Sequence, residues 1–126
     1  MSKMLLVEDN QLSQKMMFYT LRHVGLKADV ADDGRKAVDM ATSNPYDIIL
    51  MDIMMPELNG YEATHFIRQF EQENKSKKAF IIGLTGNVYD SERKKCIEAG
   101  MDEFLAKPFD IDQFLEIVRH YKLMDV

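Results

Sequence analysis

The chain predicts a doubly wound α/β fold, a five-stranded parallel sheet of order 2-1-3-4-5 with helices on both faces. Three observations predict it. Five short apolar runs alternate with five stretches at helical spacing. The runs are mostly apolar, as strands covered on both sides are. The connections are brief, and parallel neighbours joined in this way require right-handed crossovers.

The first strand is read at Lys3 to Val7, and the first helix carries the apolar stripe Met17, Thr20, Leu21, Val24 before Gly25. A second strand, Ala28 to Ala31, leads to a helix over Gly34 to Ser43 whose core residues Ala37, Val38 and Ala41 are small. That helix stops before Asn44 and Pro45. The third strand spans Asp47 to Met51. The third helix opens on Asn59 with Glu62, a capping-box pattern, and buries Ala63, Phe66, Ile67 and Phe70. Strand four is read at Ala79 to Leu84, and the helix after it ends at Gly100, which like Gly25 suits the left-handed conformation. Strand five, Glu103 to Ala106, precedes a helix opened by Asp110 with Gln113, with Ile111, Phe114, Leu115 and Val118 on one face.

A chain of 126 residues that is 46% hydrophobic suffices for one core, so a single domain over 1–126 is expected. Against 16 basic residues stand 21 acidic ones, a net charge of −5 that argues against direct nucleic-acid binding. The clusters Lys75, Lys77, Lys78 and Arg93, Lys94, Lys95 are flanked by acids and read as solvated faces. Cys96 has no partner cysteine, so a buried free thiol in a reducing cytosol is expected. Met4 to Val7 is too short for a signal sequence and no run reaches membrane-spanning length, which predicts a soluble cytoplasmic protein with no membrane partner. The isolated His23, His65 and His120 suggest no metal cluster, and the ten methionines read as core fillers, with Met54 and Met55 beside the site.

In a doubly wound sheet, ligands sit beyond the carboxyl ends of the strands, here between strands one and three. Glu8 and Asp9 end the first run, Asp52 the third, Thr85 the fourth and the Lys107-Pro108 pair the fifth. Singly, each reads as an ordinary turn, cap, strand-end or surface residue. Together they place three carboxylates and an amine at one edge. The carboxylates repel one another unless a hard divalent cation neutralises them, and Mg²⁺ with carboxylate, carbonyl and water oxygens fits, the Met54 carbonyl adding a contact. A carboxylate beside Mg²⁺ can attack a phosphoryl group, so Asp52 is the candidate nucleophile, Lys107 the fixed cation and Thr85 the hydroxyl.

These segments, LLVEDN (5–10), DIILMDIMMPELNGYEAT (47–64), IGLTGNV (82–88) and CIEAGMDEFLAKPF (96–109), resemble the receiver domains of two-component response regulators over essentially the whole chain. The likeness extends to single-domain chemotaxis-type regulators and to receivers of hybrid sensor kinases, and implies the flavodoxin-like (βα)5 arrangement. It implies that Asp52 accepts a phosphoryl group from a histidine of a kinase or phosphotransfer domain, with Mg²⁺ held by Asp9, Asp52 and the Met54 carbonyl and reached indirectly by Glu8. Thr85 matches the switch hydroxyl, Lys107 the lysine bonded to the phosphoryl group, and Phe104 a mobile aromatic that is often tyrosine. The Lys107-Pro108 peptide is expected to be cis. Gly86 leaves the approach open and offers its N–H to a phosphoryl oxygen. Met54 and Asn87 flank the path of a hydrolytic water, and a thioether is neither acid nor base, so slow autodephosphorylation is expected.

The expected protein is a signalling phosphoacceptor rather than an enzyme. Phosphorylation would alter partner binding through helix four, strand five and helix five. A receiver without an attached effector is expected, with output passing through an unidentified downstream protein unless the chain is a piece of a larger regulator. Self-pairing through helices four and five is left open. Two rivals have other signatures. A Mg²⁺-dependent aspartate-nucleophile phosphohydrolase typically has a second aspartate where this chain has Met54. A pseudo-receiver, a docking scaffold indifferent to phosphorylation, would be expected to have lost an acid, the threonine or the lysine.

Overall fold

The computed structural model describes residues 3–86 and 90–124. In chain order the elements are β1 (Met4–Val7), α1 (Gln11–His23), β2 (Asp29–Ala31), α2 (Gly34–Ser43), β3 (Ile48–Asp52), α3 (Gly60–Asn74), β4 (Phe80–Thr85), α4 (Asp90–Ala99), β5 (Glu103–Ala106) and α5 (Ile111–His120). All strands pair in parallel, in the order β2-β1-β3-β4-β5. Each strand lies within one residue of its expected bounds. The displacements at β3 and β4 carry meaning, because the ladder continues through Asp52, paired with Leu84, and through Thr85, paired with Ala106.

Alternation along the strands splits the core into two layers. Leu5, Val7, Ile49, Met51 and Ile81 face one side with Ala37 of α2, Ala63 and Ile67 of α3 and Cys96 of α4. Leu6, Ile48, Leu50, Ile82 and Leu84 face the other with Met17 and Leu21 of α1 and Phe114 and Val118 of α5. Small α2 residues bring that helix close: a Cβ on Gly34 would lie 2.2 Å from the Leu58 carbonyl oxygen.

The caps follow sequence chemistry. Asn59 and Glu62 exchange both bonds of a capping box at α3. At α5, Asp110 accepts from the Asp112 and Gln113 N–H groups. Gly25 and Gly100 sit at φ 83° and 102°, where a side chain would be strained.

Three expectations of burial need correction. Val24 caps α1 rather than continuing its stripe and is exposed. Phe66 is also exposed, because α3 packs through Ala63, Thr64, Ile67 and Glu71, a face rotated from the one expected. Met16 and Met54 project from the surface, so the methionines are not uniformly core fillers. Cys96 is a buried free thiol as expected, and Lys75, Lys77, Lys78, Arg93, Lys94 and Lys95 are exposed. No helix among the described residues is long and apolar enough to cross a membrane.

Candidate functional site

The site lies at the carboxyl edge, between β1 and β3 where the winding reverses. Val7 pairs with Met51, so the next residue of each chain segment, Glu8 and Asp52, lies side by side. Period-two alternation puts both on the face occupied by Leu6 and Leu50, toward α1 and α5. Asp9 follows at the exposed rim. Ligand oxygens of Glu8, Asp9 and Asp52 fall within 4.8 Å of one another, a separation at which one cation can engage all three.

Asp52 is 1% exposed and Glu8 is equally buried, so both carboxyls have left water. Lys107 meets them from the end of β5: its Nζ is 2.7 Å from Asp52 Oδ1 and 3.6 Å from Glu8 Oε1. The Met54 N–H donates to the same Asp52 oxygen at 3.3 Å. The other, Oδ2, is buried without a hydrogen-bond partner among the described residues. An orphaned carboxylate oxygen is costly in a folded protein and marks a position for a cation or an electrophile. The donor set therefore fits a hard divalent metal.

Electrostatics point the same way. Burial first, and then the neighbouring Asp52 carboxyl, push the Glu8 pKa from 4.5 to about 7, against the opposing pull of the Asn10 N–H and Lys107. One proton thus stands in for missing positive charge. Burial works against the charge on Lys107, but Asp52 and Glu8 outweigh it and hold the ammonium above the ordinary lysine range.

Backbone contacts fix these groups in place. The Ile53 N–H donates to the Leu84 carbonyl at 3.1 Å, and the Lys107 N–H to the Thr85 carbonyl at 2.7 Å, so Asp52, Thr85 and Lys107 hang from adjoining strand ends. Thr85 is buried. The Lys107-Pro108 peptide is cis. Gly60, the first residue of α3, presses on β3: an added Cβ would lie 2.4 Å from the Asp52 carbonyl oxygen. At Gly86 an added Cβ would meet nothing among the described residues within 4 Å. Met54, two residues beyond Asp52, is 74% exposed. Phe104 is half-buried in β5 with the Arg93 guanidinium 5.0 Å from its ring centroid. Asn87 lies outside the described residues.

The sequence reading missed the face of α1. Leu12, Met16 and Tyr19 are each more than 60% exposed at spacings i, i+4 and i+7, a second apolar stripe beside the buried Met17 and Leu21. It borders a groove of about 480 Å³ lined by Met16, Met17, Thr20, Pro108 and Phe109, with Glu8 and Lys107 among its walls. The spacing was visible in the sequence, but a helix with two apolar stripes does not say which is covered.

Comparison with known proteins gives a consistent family. The model of the response regulator receiver domain matches residues 4–119. Hybrid signal transduction histidine kinase K of Dictyostelium discoideum is 37% identical over 115 residues, covering 88% of this chain and 10% of the kinase. The chain spans only 6% and 7% of the related hybrid kinases B and L. The receiver domain of the Pseudomonas aeruginosa sensor histidine kinase PA1611, solved with magnesium coordinated in its active-site cleft, superposes with a TM-score of 0.83 at 38% identity, covering 95% of this chain and 96% of that one. A chain in the Saccharomyces cerevisiae co-crystal of the phosphotransfer protein Ypd1 with the receiver domain of Ssk1 gives a TM-score of 0.89 at 27% identity, covering 95% and 88%.

Proposed function

We propose, from the premise that this chain belongs to the response regulator receiver domain family, that Asp52 accepts a phosphoryl group from a phosphohistidine and that the resulting aspartyl phosphate alters partner binding. One observation carries the reading: a buried carboxylate has one oxygen on Lys107 and Met54 N–H and the other without a hydrogen-bond partner among the described residues, beside two further acids. A structural aspartate would have both oxygens satisfied.

The roles follow from position. Asp52 Oδ2 attacks phosphorus, the P–N bond to the donor histidine breaks, and the imidazole leaves with the electron pair and is protonated. Lys107 stays charged and moves from the free carboxylate to the oxygens of the transferred group. In this reading the Met54 and Gly86 N–H groups donate to the transferred oxygens, and the Thr85 hydroxyl is the switch donor. Asp9, Asp52 and the Met54 carbonyl, with Glu8 more remote, would hold Mg²⁺, which supplies charge neutralisation for the phosphoryl oxygens. Thr85 and Phe104 would pass the change to α4, β5 and α5 as a population shift. The exposed thioether of Met54 offers a hydrolytic water no acid, base or strong hydrogen-bond partner, so the aspartyl phosphate is long-lived.

The donor is a kinase or phosphotransfer-domain histidine carried on a helix, and the apolar stripe of Leu12, Met16 and Tyr19 beside the site is the surface it docks on. An amphipathic helix laid along that stripe brings its histidine to the mouth of the site. The compartment is cytoplasmic in this reading, 1–126 acts as one receiver unit, and the downstream partner is a protein. The test is intact mass after incubation with a small acyl phosphate and Mg²⁺. The expected result is one added phosphoryl group, absent without divalent cation and absent in Asp52→Asn. An unmodified mass in the folded wild type would overturn the reading.

A further inference from the structure

Helix α4 is thinly anchored. Cys96 is its one buried residue, whereas α3 buries five. The hydrophobic effect therefore contributes little to holding α4 in place, and specific side-chain contacts contribute correspondingly more. Two lie at consecutive positions in its first turn. Glu92 accepts a hydrogen bond from the Tyr61 hydroxyl of α3, and the Arg93 guanidinium covers the Phe104 ring of β5. The Cys96 thiol, one turn on from Glu92, lies beside the same hydroxyl.

Tyr61 is itself fixed to the site. It follows Gly60, whose N–H donates to the Ile53 carbonyl at 3.0 Å and whose Cα is pressed against the Asp52 backbone. On the β4 side, α4 begins at Asp90, five residues beyond Thr85. Glu92 lies in that same first turn. The geometry points to a latch: the Tyr61–Glu92 bond keeps α4 in its resting position and is released when Asp52 carries a phosphoryl group. Tyr61 is a positioning residue, and burial keeps its hydroxyl protonated and donating. This inference rests on the phosphoacceptor reading above.

The test uses the full chain as wild type, Tyr61→Phe, Glu92→Met and the double variant, titrated with beryllofluoride and Mg²⁺ as a stable mimic of the aspartyl phosphate. Phenylalanine fills the same space and removes only the hydroxyl, with its bond to Glu92 and its contact with the Cys96 thiol. A hydrogen bond to a charged group that restrains the resting state alone weakens binding of the mimic, so Tyr61→Phe should bind it about five- to tenfold more tightly. Amides of α4 should exchange faster while those of β1 and β3 do not, and the double variant should bind no more tightly than Tyr61→Phe. Equal or weaker binding by Tyr61→Phe, or fully additive single effects, overturns the latch alone. Failure of the mimic to bind wild type overturns the phosphoacceptor reading and the latch with it. Glu92→Met, which removes the acceptor at a partly exposed position, should also tighten binding of the mimic, and equal or weaker binding by it overturns the latch should Tyr61→Phe fold poorly.

Discussion

Glu8→Gln should stabilise the metal-free protein at high pH while weakening its hold on a divalent cation. Glu8 has a pKa of 4.5 when unfolded and about 7 in the site, so between those values unfolding releases a proton and stability falls as pH rises. Below pH 4.5 both states hold the proton and nothing is lost. Above about pH 7 the folded state carries a buried charge that costs roughly 3 kcal/mol, at about 1.36 kcal/mol per pKa unit. Glutamine removes that cost but forgoes the attraction to Lys107 across 3.6 Å. The net gain expected at pH 8 is about 1–3 kcal/mol, shrinking to near zero at pH 5. Urea unfolding at pH 5, 6, 7 and 8 in the presence of a chelator measures it, and Mg²⁺ at pH 8 should narrow the gap by stabilising wild type more. A difference between the two proteins that does not change with pH, or a variant less stable at pH 8, would refute the reasoning.

Two further perturbations probe the scaffold. Gly60→Ala places a methyl 2.4 Å from the Asp52 carbonyl oxygen and 2.8 Å from the Ile53 Cα, atoms of backbone that cannot step aside. A loss of about 1–3 kcal/mol in urea unfolding is expected, together with weaker Mg²⁺ binding, because β3 must shift. Arg68→Ala should cost about 3–5 kcal/mol, since Arg68 pairs with Glu71 at 2.8 Å and Asp102 at 2.7 Å and donates to the Gly100 and Ala79 carbonyls, and its loss strands the buried Glu71. Chemical denaturation checks it, and Glu71→Gln combined with Arg68→Ala should recover part of the loss.

The fold was legible because strands covered on both faces must be apolar throughout, and runs such as Leu5-Leu6-Val7 and Ile48-Ile49-Leu50-Met51 admit little else. The acids and the lysine were legible for a related reason: charges that terminate apolar strands collect at one sheet edge once the order is known. What escaped was contact between elements distant in sequence. Arg68 reaches Asp102 and Tyr61 reaches Glu92, and neither partner is marked by any local period. Phe66 escaped because a hydrophobic stripe fixes the facing direction of a helix only to within about one residue, and the packing of Arg68 and Glu71 beneath α3 turned it outward.

The most direct measurement traps the acyl phosphate. After incubation with a small phosphodonor and Mg²⁺, borohydride reduction converts a phosphorylated aspartate to homoserine, and peptide mass mapping locates it. The account requires homoserine at position 52 and nowhere else among the acids of the site. Modification at Glu8 or Asp9, or none in a folded protein that binds Mg²⁺, would contradict it.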